Sequence, residues 1–217
     1  MKVQLFVTCL VDLAYPEIGE RTVALLERLG CEVAFPDGQT CCGQPAHNSG
    51  HPGPAERVRK AWEAAFAGRE GPIVAPFGSC AKFVADARVV DLPTFLDGNF
   101  RDVGGRFDGT VAWHQECHLL DGGAGRRLLD GVAGCTVVET ARPELCCGFG
   151  GTFSVKRPEI SVAMADEKLD AAVAAGADAI VSTDPGCLMH LEGRARRRGL
   201  PLQVHHLVDL LEPDGRL

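Results

Sequence analysis

Residues 24–43 read ALLERLGCEVAFPDGQTCCG, and residues 128–148 read LLDGVAGCTVVETARPELCCG. Both segments run from a pair of leucines through Gly-Cys-x-Val to Cys-Cys-Gly. A pattern this long that recurs once along a chain indicates a duplicated structural unit. The fold is therefore expected to be built twice, once around each Cys-Cys-Gly turn.

The sequence on either side of these segments repeats as well. VQLFVTC (3–9) matches GTVAWHQEC (109–117), and PIVAPFGSC (72–80) matches DAIVSTDPGC (178–187). The halves meet in the glycine-rich stretch between Gly98 and Gly109. We predict two cysteine-rich domains, residues 1–104 and residues 105–217, each of a size that can fold around its own core.

Strands and helices alternate in both halves. Short apolar runs predict strands, whereas apolar residues at helical spacing, often after a proline, predict helices. The predicted strands include Val3–Val7, Glu32–Phe35, Ile73–Ala75 and Ala179–Val181, and the predicted helices include Pro16–Leu29, Ala55–Ala67 and Pro158–Ala175. This alternation predicts an α/β fold of two duplicated Rossmann-like halves, each a small parallel sheet flanked by helices.

Eight of the ten cysteines come just after predicted strands. Because the carboxyl ends of parallel strands share one edge of a sheet, cysteines distant in sequence are expected to converge there. The two sets expected to bind a metal or cofactor are Cys9, Cys41, Cys42 and Cys80 in the first half, and Cys117, Cys146, Cys147 and Cys187 in the second.

Composition narrows the class of protein. The net charge of −7 argues against nucleic acid as the main partner. The start of the chain holds too short an apolar run for a signal peptide, and no stretch approaches the roughly 20 apolar residues of a membrane span. We therefore expect a cytoplasmic protein, in which clustered cysteines favour metal or redox chemistry over disulfides.

Four converging thiolates suit either zinc or an iron–sulfur cluster. Zinc sites more often use Cys-x2-Cys knuckles, whereas here adjacent cysteines turn at Gly43 and Gly148. The pattern favours one iron–sulfur cluster in each half, of the 4Fe-4S type. Zinc in one half stays an alternative at this point.

At these residues the sequence resembles the cysteine-rich (Cys-Cys-Gly) domain family, which includes the cysteine-rich polypeptide of heterodisulfide reductase, the iron–sulfur polypeptide of glycolate oxidase and lactate-utilisation proteins. The matching segments span nearly the whole chain: FVTC (6–9), CCGQPAHNSG (41–50), GSC (78–80), CCGFGGTFSVKRPEIS (146–161) and GCLMHLEGRARRRG (186–199). The chain length and CCGFGGTFSVK point to the lactate-utilisation branch.

This resemblance implies an iron–sulfur electron-transfer subunit of a complex that oxidises L-lactate to pyruvate. Such a protein would act with a ferredoxin-type iron–sulfur protein and other subunits, without complete enzymatic activity alone. The alternatives are a glycolate oxidase-type subunit, a heterodisulfide or thiol oxidoreductase subunit, and a zinc-stabilised interaction module. Phe77 and Asp184 stand where heterodisulfide reductase has the fifth cysteine of each cluster, so five-thiolate chemistry is not expected here.

The other cysteines, histidines and arginines receive separate predictions. Cys31 and Cys135 are expected to be small core residues. Four histidines near the Cys sets are candidate cluster ligands or hydrogen-bond donors to sulfur: His47, His51, His114 and His118. His205 and His206 are expected to be structural and far from the metal sites. The basic run Arg194–Arg198 is expected to be a solvated helix face.

Overall fold

Each half of the chain forms one four-stranded parallel sheet in this computed structural model, which describes residues 1–212. The first sheet has the order β2-β1-β3-β4, with β1 at Lys2–Leu5, β2 at Glu32–Ala34, β3 at Ile73–Ala75 and β4 at Val89–Asp91. The second has the order β6-β5-β7-β8, with β5 at Arg106–Trp113, β6 at Ala133–Val138, β7 at Ala179–Ser182 and β8 at Gln203–His206. The matching orders confirm the duplicated α/β fold.

Helices follow the strands in both halves. Those of the first half are α1 (Cys9–Ala14), α2 (Pro16–Arg28), α3 (Gln44–Asn48), α4 (Pro52–Phe66), α5 (Gly78–Val84) and α6 (Leu92–Asn99). Those of the second half are α7 (Ala124–Asp130), α8 (Thr152–Lys156), α9 (Pro158–Ala174), α10 (Pro185–Arg198) and α11 (Leu207–Leu211). Within residues 1–212, no helix is both long and apolar enough to cross a bilayer.

Most predicted elements are present with small shifts at their ends. α4 begins at Pro52, three residues before the predicted start, because a proline in the first helical turn loses no hydrogen bond. β1 ends at Leu5 instead of Val7, since the Val7 N–H donates to Gln39 Oε1 at 3.0 Å and not to a neighbouring strand. The fourth strand of each sheet was missed, because β4 (Val-Val-Asp) and β8 (Gln-Val-His-His) lack the continuous apolar run that marks β3 and β7.

The two halves share one hydrophobic core. Leu25 and Leu26 of α2 belong to the same buried cluster as Leu129 of α7 and Leu211 of α11. α11 leaves the second sheet and packs against α2, where Arg21 pairs with Asp209. The division between residues 104 and 105 stays a prediction, since this core runs through both halves.

Candidate metal centre

The first set of cysteines converges at the carboxyl edge of its sheet. Cys9 begins α1, Cys80 lies in the first turn of α5, and the vicinal pair follows β2. Cys9 Sγ lies 3.5 Å from Cys41 Sγ, and Cys42 Sγ lies 3.4 Å from Cys80 Sγ.

The second set repeats this arrangement. Cys147 Sγ lies 3.0 Å from Cys187 Sγ, which sits in the first turn of α10. Cys117 and Cys147 both lie close enough to Cys146 to lower the pKa of its thiol. Cys117 is the most exposed of the four. The structure thus brings together the four cysteines of each predicted set.

The Cys-Cys-Gly turns aim backbone N–H groups at the sulfurs. In the first half, the N–H groups of Gly43 and Gln44 donate to Cys41 Sγ and Cys42 Sγ, each at 3.4 Å. In the second half, those of Gly148 and Phe149 donate to the corresponding sulfurs at the same distance. Hydrogen bonds from fixed N–H groups stabilise thiolates, the protonation state that ligates metal.

Glycine is required at both turns for two reasons. Gly43 and Gly148 have φ values of 96° and 90°, in the left-handed region. A Cβ would lie 2.7 Å from Ala55 O in the first half and 2.5 Å from Ser161 O in the second. Each Cys-Cys-Gly turn is therefore pressed against the start of the following long helix, α4 or α9.

Within each set, contacts among the thiols favour ionisation of one sulfur. Hydrogen bonds with Cys42 and Cys9 lower the pKa of Cys41 to about 3. Hydrogen bonds with Cys117 and Cys147 lower the pKa of Cys146 to about 2. The donating thiols keep their protons. Metal binding therefore releases protons, and the affinity of a set for metal rises with pH.

Both sets open onto one cavity of about 170 Å³. Phe77 and Asp184 also line this cavity. They stand where heterodisulfide reductase has the fifth cysteine of each cluster. The cavity is lined by sulfur-bearing residues of the first set (Cys9, Cys42, Cys80) and of the second (Cys117, Cys146, Cys147, Cys187). The two candidate centres therefore face each other across a single shared space.

A buried carboxyl pair lies beside this cavity. Glu116 Oε1 accepts hydrogen bonds from the Gly78 N–H at 3.1 Å and from Thr183 Oγ1 at 2.9 Å. Burial, reinforced by the nearby Asp184 carboxylate, raises the pKa of Glu116 well above its usual value. Asp184 caps α10 by accepting from the Cys187 N–H at 2.9 Å, which explains its place in the motif.

His114 lies beside the second cysteine set. It is 1% exposed, and neither ring nitrogen has a hydrogen-bond partner among residues 1–212. A ring nitrogen and the sulfurs of Cys147 and Cys187 all lie within 4.8 Å of one another. Burial, followed by the charge of Lys168, lowers the pKa of His114 to about 3, so its imidazole is neutral.

The other candidate histidines differ in their exposure and surroundings. His118 lines the cavity, whereas His47 and His51 are exposed, and His47 packs edge-on against Phe83. The prediction that His206 lies far from the metal sites is wrong. β8 carries its imidazole to the carboxyl edge of the sheet, where Nε2 lies 3.2 Å from Thr183 O.

The cysteine predictions are confirmed, because Cys31 is buried in the core and Cys135 packs against it. The prediction of a solvated face on α10 holds for Arg196 and Arg197, which are exposed. Arg194 and Arg198 are instead half-buried and pair with Asp166 on α9. Sequence reasoning missed Glu116, for which adjacency to Cys117 is the only available signal.

The residues present fit the groups predicted for them. Each set offers four sulfurs, two backbone N–H groups aimed at sulfur, and access to a cavity. Thiolates with N–H donors are the surroundings that iron–sulfur centres use, and thiolates with an imidazole also suit zinc. The second set, with His114 beside it, satisfies either chemistry.

Comparison with known proteins agrees with this geometry. The family model described as "Cysteine-rich domain" matches residues 3–84 and again residues 111–192, one match for each half. The chain belongs to this cysteine-rich domain family.

Curated relatives cover nearly the whole chain. Proteins named "Lactate utilization protein A" include one from Geobacillus kaustophilus, 42% identical over 97% of this chain and 98% of its own length. Others are from Halalkalibacterium halodurans, 39% identical over 100% and 98%, and Exiguobacterium sp., 39% identical over 96% and 96%. Among solved structures, a solute-binding protein from Conexibacter woesei aligns over 93% of this chain and 69% of its own with a TM-score of 0.27 and 16% identity, too low to inform function.

Proposed function

We propose that this chain is an iron–sulfur electron-transfer subunit of a cytoplasmic system that oxidises L-lactate to pyruvate. Each cysteine set would hold one 4Fe-4S centre through its four thiolates. The names of the relatives support the lactate role, and the paired sets of four cysteines support the cofactor. The chain would act with a ferredoxin-type iron–sulfur protein and further subunits.

The shared cavity is the observation that carries this proposal. Cys42 and Cys80 of the first set and Cys147 and Cys187 of the second line the same space of about 170 Å³. Two redox centres that face each other can exchange electrons within one chain. Iron–sulfur centres supply one-electron chemistry, so hydride removal from a 2-hydroxy acid would fall to partner subunits.

The chain's own residues would hold and orient the centres. The N–H groups of Gly43, Gln44, Gly148 and Phe149 would keep their hydrogen bonds to the ligating sulfurs. These bonds fix sulfur direction and favour the more negative, reduced state. Phe77 and Asp184 would close the cavity side of each centre, where the five-thiolate relatives have a further ligand.

An anaerobic cell extract that contains the tagged chain tests the electron-transfer role. Addition of L-lactate is expected to produce the paramagnetic signals of the chain's reduced centres. The same extract with Cys42→Ser and Cys147→Ser together is the matched control and is expected to stay silent. Iron-loaded protein that L-lactate leaves oxidised, while dithionite reduces it, would refute the lactate role.

A zinc-stabilised module is the second candidate, because one observation favours it. His114, Cys147 and Cys187 form a compact group with the donor mixture typical of structural zinc. Under this alternative the second half would keep zinc after anaerobic purification, and removing the metal would unfold it. Metal analysis of the Cys147→Ser variant separates the candidates, since it would lose zinc in one case and iron in the other.

A further inference from the structure

The two halves can be aligned residue by residue around their metal sites. Leu5 on β1 pairs with Val74, as Trp113 on β5 pairs with Val181. The residue that follows each strand donates its backbone N–H to the carbonyl oxygen of that pairing residue. Phe6 donates to Val74 O at 2.9 Å, and His114 donates to Val181 O at 2.8 Å. His114 therefore occupies in the second half the position that Phe6 occupies in the first.

The first half surrounds this position with aromatic rings. The ring of Phe6 lies edge-on to Trp62 and Phe66, with centroids 5.5 Å and 5.8 Å apart. It belongs to the same buried cluster as Cys42 and Cys80. The phenyl ring of Phe6 needs no hydrogen-bond partner, although the indole N–H of Trp62 beside it has none among residues 1–212.

The second half replaces that wall with polar and small residues. The turn glycines contact Ala55 on α4 and Ser161 on α9, which sets the two helices in equivalent positions. In that alignment Lys168 stands at the place of Trp62, and Ala172 at the place of Phe66. The Lys168 ammonium is buried and donates to Pro143 O at 2.7 Å. The side chains at these positions in the second half are therefore smaller or more polar than those in the first half.

Within this polar wall, His114 has no hydrogen-bond partner among residues 1–212. Its imidazole is 1% exposed, and both ring nitrogens are unpaired among the described residues. Burying a polar group without a hydrogen bond is costly, so such a group in a native fold needs an explanation. The sulfurs of Cys147 and Cys187 lie within 4.8 Å of a ring nitrogen and of each other, which aims the imidazole at the metal site.

We propose that His114 donates a ring N–H hydrogen bond to a sulfur of the centre held by the second cysteine set, a contact that the first set lacks. This inference rests on the proposed iron–sulfur function. His114 is a positioning and tuning residue and not a ligand, because Cys117, Cys146, Cys147 and Cys187 already supply four donors. An N–H···S bond stabilises the reduced state of a centre and raises its reduction potential. The two centres are thus chemically unequal.

Pulsed electron paramagnetic resonance on the intact, reduced protein tests the contact directly. Protein with ¹⁵N-labelled histidine is expected to show a weak histidine nitrogen coupling to the second centre. His114→Gln keeps a donor but is expected to lose that coupling, whereas His118→Gln is expected to keep it. No histidine coupling, or a strong coupling typical of direct ligation, would overturn the proposal.

Redox titration supplies a second readout. His114→Phe installs the first-half residue and is expected to move one of two reduction waves to lower potential with unchanged iron content. His114→Gln should lie nearer to wild type, and Phe6→Leu, the matched change in the first half, should move neither wave. If His114→Phe moves neither reduction wave, or loses iron from the second half, this inference is overturned while the proposed function stands. Wild-type protein without iron would overturn both this inference and the proposed function.

Discussion

The side chain of Glu116 crosses from the second half of the chain and accepts a hydrogen bond at 3.1 Å from the backbone N–H of Gly78 in the first half. Glu116 directly precedes Cys117, and Gly78 begins the helix that carries Cys80. One buried bond therefore ties a cysteine-bearing segment of each half to the other. It helps to explain why the two sets face a single cavity.

Glu116→Ala is expected to lower the free energy of unfolding by about 1–3 kcal/mol, because it leaves the Gly78 N–H and the Thr183 hydroxyl without an acceptor. Denaturant unfolding under anaerobic conditions measures the change. Glu116→Gln keeps an oxygen acceptor and should stay closer to wild type. Equal stability of the alanine and glutamine variants would show that the bond does not hold the halves together.

Gly148→Ala is expected to prevent correct closure of the second Cys-Cys-Gly turn, since its Cβ would lie 2.5 Å from Ser161 O. The loss of stability should exceed the roughly 1–2 kcal/mol that left-handed backbone alone costs a non-glycine residue. Metal content of the second half should fall as well. Gly50→Ala is the matched control, with φ of 87° and no atom within 4 Å of its Cβ. Similar effects of both changes would show that the close approach to Ser161 does not matter.

Asp184→Ala is expected to destabilise the protein by about 0.5–2 kcal/mol, because it removes the N-terminal cap of α10 that accepts from the Cys187 N–H. Asp184→Asn preserves the capping oxygen and serves as the control. Thermal unfolding of the metal-free protein isolates the effect of the cap. An asparagine variant as unstable as the alanine variant would show that the carboxylate acts through something other than capping.

His206 is expected to make stability fall in mild acid. Burial lowers the pKa of this imidazole, and its Nδ1 accepts from the Val208 N–H at 3.1 Å, so the folded state needs the neutral form. A group with a depressed pKa in the folded state contributes stability above its unfolded value of about 6.5 and loses it below. Unfolding free energy should therefore decline from pH 7 towards pH 5.

The variant His206→Gln should reduce that decline, whereas a change at exposed His51 to glutamine should leave it intact. Equilibrium unfolding at several pH values checks both. An unchanged slope in the His206 variant would mean that other groups cause the acid sensitivity.

The convergence of the cysteines at one edge of each sheet was predictable from the sequence, because it depends only on the order of strands and cysteines along the chain. Three strands of each half are followed by cysteines, and parallel strands place their carboxyl ends together. The shared cavity was not predictable in this way, since it depends on how Leu25 of one half and Leu129 of the other pack in a common core. The contacts of Glu116 and the burial of His114 arise from the same three-dimensional packing.

The location of His206 shows a second limit of prediction from the sequence. Its strand, Gln203–His206, has no continuous apolar run, so no strand was predicted there and its end could not be assigned to an edge of the sheet. Asp184 shows the reverse case. In the sequence, Asp184 marked only the position where a fifth cysteine ligand is missing. In the structure, its side chain caps the N-terminus of α10.

Anaerobic analysis of iron and acid-labile sulfide in wild type, Cys42→Ser and Cys147→Ser is the most decisive measurement for the proposed pair of centres. With a 4Fe-4S centre in each half, wild type should contain about eight iron and about eight sulfide per chain. Each single variant should retain about half of both, with the loss confined to its own half. Wild-type protein that is colourless and holds only zinc would contradict the iron–sulfur function.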